Sequence, residues 1–211
     1  MIKSQLNNSV QSNVEFPSLP KEQTVNAILK FLKIYLPQFN KNFLSENLLI
    51  HKEDDISREL LFFFQDNIEN LLIHFDAKEG VDFVIKVKPY LLNAKPIFLI
   101  EAKRLPPTNN KDYVQGNTGG MERFKRELPG YGKHLLKSAM LGYIQEKSKE
   151  HWLTRINSWI DEKTTNEPEI SWDDNDKLKK DKGFADFISQ HTRITQPPII
   201  LYHFWLILFK E

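Results

Sequence analysis

The order of hydrophobic patterns predicts an α/β fold: a helix, a three-strand antiparallel meander, helices and a further strand, with an added helix at the N-terminal side. Three observations carry the prediction. Apolar residues recur at helical spacing over Lys21 to Tyr35 and again from Glu53 to about Ile68, the period of a buried helix face. Between Leu71 and Lys103 three short apolar runs are separated by turn-forming residues, which favours antiparallel neighbours. Near the end, Pro197-Pro198 introduces the apolar run Ile199 to Phe209, the form of a buried strand.

Residues 1–20 are polar at their start and read as a mobile arm. The first helix places Val25, Ile28, Leu29, Leu32 and Tyr35 on one face, with Pro20 before it and Pro37 ending it, because proline removes a helical hydrogen bond. The second helix has Ile56, Leu60, Phe63 and Phe64 on its apolar side and acidic residues in its first turn, where they complement the helix dipole. Strands follow at Leu71 to Phe75, Val81 to Lys88 and Pro96 to Lys103, joined by Lys78-Glu79-Gly80 and Leu92-Asn93-Ala94. A loop from Pro106 to Gly120 leads to helical patterns over about Gly132 to Lys147 and Lys149 to Asp161. Residues 162–182 read as a polar loop or insertion, and a short helix is expected around Phe184 to Gln190. The chain is thus an arm followed by one domain over 21–211, with a core over about 52–209.

Composition narrows the classes. With 40% hydrophobic residues, 15 Phe and 4 Trp among 211 residues, the chain can bury a real core and is neither disordered nor fibrous. The absence of cysteine removes disulfides, thiol nucleophiles and thiolate zinc sites. Met1 to Ser12 lacks the apolar stretch of a secretory signal, and the run Ile199 to Phe209 is far shorter than the ~20 residues of a membrane-spanning helix; both predict a cytoplasmic protein without a membrane partner. Net charge is only +1, so local asymmetry matters more than overall sign. From Lys103 to Lys137, eight basic residues face three acidic ones.

Chemistry concentrates on the second and third strands. Period two places Val81, Phe83, Ile85 and Val87 on one face and Asp82, Val84 and Lys86 on the other. The same period groups Ile97, Leu99, Glu101 and Lys103, opposite Phe98, Ile100 and Ala102. A carboxylate and an ammonium therefore emerge together at the end of an apolar strand. If the two strands pair, Asp82 and Glu101 converge on one hard cation, since Mg²⁺ takes oxygen ligands and one or two protein carboxylates. Such a cation beside an ammonium suits phosphodiester hydrolysis. The acid-x-Lys tripeptide alone is weak, because Asp76-Ala77-Lys78 and Asp161-Glu162-Lys163 repeat it. Only Glu101-Ala102-Lys103 follows an apolar run and an upstream strand bearing an isolated acid.

Gly80-Val81-Asp82 followed by Ile97-Phe98-Leu99-Ile100-Glu101-Ala102-Lys103-Arg104-Leu105 resembles the PD-(D/E)xK, or restriction-endonuclease-like, nuclease superfamily, with Val81 in place of the proline of its name. The resemblance implies a restriction-endonuclease-like core. It implies Asp82 and Glu101 as metal ligands with the Ala102 carbonyl as a third, Mg²⁺ with Mn²⁺ as a substitute, and Lys103 orienting water or stabilising the transition state. Members add a glutamate from the preceding helix, for which Glu53 is preferred to Glu59. The implied function is a nuclease acting on DNA rather than RNA, in restriction or phage defence. The alternative is a nuclease-derived module that binds nucleic acid or protein without cutting, and a homodimer or a partner subunit is open in either case.

Residues 113–126 join glycines to a basic helical start, which nominates Arg123, Lys125 and Arg126 for a nucleic-acid backbone. Gly119 and Gly120 serve either a turn or a phosphate contact. Gln145, on the helix expected after the sheet, matches a glutamine of some superfamily branches only loosely. His134, His151 and His203 lack partners at metal-ligand spacing and read as packing or surface residues. Trp152 and Trp159, seven apart, read as core or interface residues.

Overall fold

The structure is a computed structural model that describes residues 21–46, 52–68, 73–76, 81–87, 95–106, 111–116, 120–166 and 170–210. The expected arm over residues 1–20, the two turns of the meander and Gly119 lie outside the described residues. Four helices, α1 (Lys21–Ser45), α2 (Glu53–Asp66), α3 (Met121–Lys125) and α4 (Lys149–Asn166), accompany a 3-10 turn at Lys111–Tyr113. The strands are β1 (Ile73–Asp76), β2 (Phe83–Val87), β3 (Phe98–Leu105), β4 (Lys137–Ile144), β5 (Lys179–Lys180), β6 (Phe187–His191) and β7 (Ile199–Ile207).

All seven strands form one sheet in the order β1-β2-β3-β4-β7-β6-β5. The β1–β2–β3 meander is antiparallel, as expected. β3, β4 and β7 are parallel, and β6 and β5 return antiparallel on the far edge. α1 and α2 share one core with Phe83, Ile85, Phe98, Ile100, Leu141 and Phe204. α3 and α4 share the other with Val84, Leu99, Met140, Leu201 and Trp205. Alternation along β2 and β3 therefore sends Asp82, Glu101 and Lys103 to the α3 and α4 side of the sheet.

Three expectations are corrected. The stretch expected as a helix over Gly132 to Lys147 contains the strand β4, which lies between β3 and β7 and is buried at every position after Lys137. An apolar run buried on both faces has no period to separate strand from helix. Gly142 on this strand is needed for packing, since a Cβ there would lie 2.5 Å from Trp205 Cδ1. The helix expected around Phe184 to Gln190 is the strand β6, whose burial alternates at period two. Pro37 does not end α1 but lies inside it. An interior proline costs about 3 kcal/mol, and burial of Phe39 and Phe43 beyond it, at roughly 1.5–3 kcal/mol each, offsets that cost. The polar segment 162–182 is shorter than expected as a loop, because α4 runs to Asn166 and β5 occupies Lys179–Lys180. No helix among the described residues is long and apolar enough to cross a membrane.

Candidate functional site

β3 outruns its neighbour. The β2 pairing begins at Phe83 opposite Ile100, so among the described residues the edge of β3 beyond Ile100 has no strand beside it on that side. Two carboxylates take the place of the missing strand: Asp82 Oδ2 accepts from the Ala102 N–H at 2.7 Å, and Glu53 Oε2 accepts from the Arg104 N–H at 2.8 Å. A strand residue's N–H and C=O point to the same edge, so the Ala102 carbonyl faces the carboxylates as well. Glu53 is the first residue of α2, which presents it to β3, whereas Glu59 lies exposed. One turn further along α2, Ser57 hydrogen-bonds the Tyr143 hydroxyl of β4 at 3.0 Å, so α2 is docked by polar contacts to two strands.

Lys103 sits between acids. Its Nζ is 2.8 Å from Glu101 Oε1 and 3.0 Å from Glu53 Oε1. The other Glu101 oxygen accepts from the Tyr131 hydroxyl at 2.8 Å, and Tyr131 in turn accepts from the Arg123 guanidinium. Arg123 lies 3.7 Å from Glu101 Oε1 and stacks over the Tyr131 ring at 5.0 Å. The side chain of Glu101 is 2% exposed and that of Lys103 is 9% exposed, so these charges interact with little screening by water.

The titration of the groups follows. Burial, and then the charge of Glu101, pushes Asp82 up to about 7. Glu101 is likewise raised by burial, against the pull of Lys103. Burial would lower Lys103, but the charges of Glu101, Glu53 and Asp82 outweigh it and hold the ammonium above the ordinary lysine value. Burial and the nearby Glu101 keep the Tyr131 hydroxyl protonated. Carboxylates in such a cluster need positive charge to stay ionised together.

The structure thus brings Glu53, Asp82, Glu101, Ala102 and Lys103 to one end of β3. It separates the three basic residues nominated for a nucleic-acid backbone. Lys125 is a correction: it is fully buried, its ammonium 2.7 Å from Asp176 and 2.9 Å from the Ser171 carbonyl, and it has no surface to offer. Arg123 faces Glu101 and Tyr131, while Arg126, 36% exposed, pairs with Glu122. Gly120 serves the chain's own packing, with φ at +72° and a would-be Cβ 2.3 Å from the Tyr113 carbonyl oxygen. Gln145 follows a strand rather than lying on a helix, and its N–H bonds the Leu105 carbonyl. His203 is buried, His134 contacts the Pro96 carbonyl, and Trp152 and Trp159 pack in the core. Sequence reasoning missed Tyr131 and Tyr143, which carry no local motif.

Among the described residues, no group of three or more His, Asp and Glu side chains is placed so that it could hold a metal ion. In comparisons with protein-family models, curated proteins and solved structures, the chain matches none.

Proposed function

We propose that the chain is a Mg²⁺-dependent nuclease of the PD-(D/E)xK type that hydrolyses phosphodiester bonds in DNA. The observation that carries this reading is the convergence of Asp82, Glu101 and Lys103 with Glu53 at the end of β3. Element order is in keeping with it only coarsely: α2 and the β1–β3 meander are followed by the helices α3 and α4 and the strand β7, with β4 where a helix was expected. The donor chemistry suits a hard divalent cation, which prefers oxygen: Asp82 and Glu101 offer carboxylates and Ala102 a carbonyl. Mn²⁺ shares these preferences and is expected to substitute.

In this reading Asp82, Glu101 and the Ala102 carbonyl would hold the ion, with Glu53 at its margin. The chemistry that Mg²⁺ would supply there is Lewis-acid activation of a water and neutralisation of phosphate charge. Lys103 would turn from its carboxylate partners to a phosphate oxygen, where its ammonium stabilises the charge that builds as the water oxygen bonds phosphorus, before the P–O bond to the sugar oxygen breaks and that oxygen leaves with a proton from solvent. Tyr131 and Arg123 fix the rotamer of Glu101. A role in restriction or phage defence follows from the resemblance alone.

A second reading, a nuclease-derived module that binds without cutting, is favoured by the net charge of +1. Incubation with circular, linear and single-stranded DNA and with RNA, in Mg²⁺, Mn²⁺ or EDTA, tests the two. Metal-dependent cleavage of DNA supports the nuclease. Binding without turnover in either metal supports the module.

A further inference from the structure

A second polar system lies inside the core shared by α3 and α4, apart from the carboxylates of β3. Asp176 can only accept: its Oδ1 lies 2.7 Å from Lys125 Nζ and 2.5 Å from His191 Nδ1. His191 therefore carries its hydrogen on Nδ1, and its Nε2 accepts from the Ser189 hydroxyl at 2.6 Å. Ser189, its hydrogen committed, accepts from His203 Nε2 at 2.7 Å. His203 Nδ1 then accepts from the Tyr113 hydroxyl at 2.9 Å, and the Tyr113 oxygen accepts from Trp205 Nε1 at 3.0 Å. One arrangement of hydrogens satisfies every link, with both imidazoles neutral.

All six residues from Lys125 to Tyr113 in this chain are 3% exposed or less. Burial lowers the proton affinity of both histidines, in keeping with the neutral forms. Both ends of the chain belong to one stretch of sequence: Tyr113 ends the 3-10 turn and Lys125 ends α3. That stretch is further pinned by the Glu122 N–H on the Val114 carbonyl at 2.9 Å and by the close approach of Gly120 to Tyr113. Arg123 lies between these anchors, with its guanidinium on Tyr131 and beside Glu101.

We propose that the buried chain Lys125–Asp176–His191–Ser189–His203–Tyr113 is a positioning device: it clamps the 3-10 turn and α3 to β6 and β7 and so holds Arg123 and Tyr131 against Glu101. None of these six residues touches the proposed substrate or ion. The role at Glu101 rests on the nuclease reading; the clamp itself does not. A purely apolar core would hold the same layers together, but it would not set the rotation of α3 that aims Arg123, because hydrophobic contact has no direction. A satisfied polar network has one permitted geometry.

The test uses the full chain with Ser189→Ala and Tyr113→Phe, each of which removes a single oxygen and leaves the core volume nearly unchanged. Nitrogen chemical shifts of the wild-type imidazoles should show His191 protonated on Nδ1 and His203 on Nε2. Hydrogen exchange should rise at least tenfold over residues 111–116 and 121–126 in each variant, with α1 and β2 unchanged. Under the nuclease reading, turnover should fall about tenfold while DNA affinity measured in Ca²⁺ stays constant. The opposite tautomers, unchanged exchange in that stretch, or an equal rise everywhere would each overturn the clamp. A clamp confirmed by tautomers and exchange in a protein that cleaves nothing would overturn only the nuclease reading. Cleavage with unaltered turnover in both variants would overturn the link from the clamp to Glu101.

Discussion

Replacing Lys103 with methionine keeps an unbranched side chain one atom shorter and removes its charge. In the structure that charge is shared between Glu101 at 2.8 Å and Glu53 at 3.0 Å, with Glu101 only 2% exposed. Removing one partner of a buried ion pair leaves an uncompensated charge and typically costs about 3–5 kcal/mol, whereas an exposed pair is worth about 0–1 kcal/mol. At roughly 2–4 °C per kcal/mol for a chain of this size, Lys103→Met should lower the melting temperature by about 6 to 20 °C in EDTA. Ca²⁺ should restore much of that loss, because a divalent ion among the carboxylates replaces the missing positive charge. Wild type should gain less from Ca²⁺, since Lys103 already occupies Glu101 and Glu53. Urea unfolding and thermal melting of both proteins, with EDTA and with Ca²⁺, read the effect. A loss below about 1 kcal/mol in EDTA would refute the buried-pair argument, and a loss that Ca²⁺ does not recover would refute its metal half.

Gly142→Ala should destabilise by about 1–3 kcal/mol, the range for forcing atoms into a packed core, because its Cβ would meet the rigid Trp205 ring at 2.5 Å; calorimetry checks it. Lys125→Ala should cost about 3–5 kcal/mol of stability by stranding buried Asp176 and leave the salt dependence of DNA binding per folded molecule unchanged, as titration at several salt concentrations would show. Stability should also fall in acid through the buried network. The folded-state values of His191 and His203 are lowered by burial, so the unfolded chain binds their protons first as pH drops below about 6.5. Asp176 is also lowered, despite burial, by its bonds to His191 and Lys125, and its contribution, complete above its unfolded value, is lost as pH falls through its folded one. The raised carboxylates of β3 oppose this trend by taking up protons in the folded state. Urea unfolding from pH 8 to pH 5 in an Asp82→Asn, Glu101→Gln background should therefore show a decline that sets in at about pH 6.5, and a flat profile would count against neutral buried histidines.

The meander and the acids on it were legible because each lies on a pattern that one sequence displays. Alternation placed Asp82 with Val84, and Glu101 with Lys103, on one face, and the short turns forced antiparallel pairing, both as observed. The acidic start of α2 was visible too, although nothing local decided between Glu53 and Glu59; the reach of a helix terminus to the unpaired edge of β3 did. β4 was misread because Lys137–Ile144 is apolar without a period, and only its position between two parallel strands identifies it. Pro37 misled because a local cost was outweighed by distant packing. Lys125 misled because a basic residue beside Arg123 and Arg126 reads as surface, while its partner Asp176 lies far along the chain. Tyr131 and the histidine network are tertiary constructions, joined across spacings that carry no pattern.

The proposed phosphodiesterase centre at Asp82 and Glu101 is tested by cleavage of plasmid DNA by wild type, Asp82→Asn and Glu101→Gln in Mg²⁺, with folding checked by circular dichroism and Ca²⁺ binding measured on the same samples. Wild type should cleave in a reaction that EDTA abolishes, and each variant should lose at least 10²-fold, on the scale of removing one preorganised catalytic group, with weakened Ca²⁺ binding in both. Cleavage undiminished in either folded variant would contradict the proposed centre.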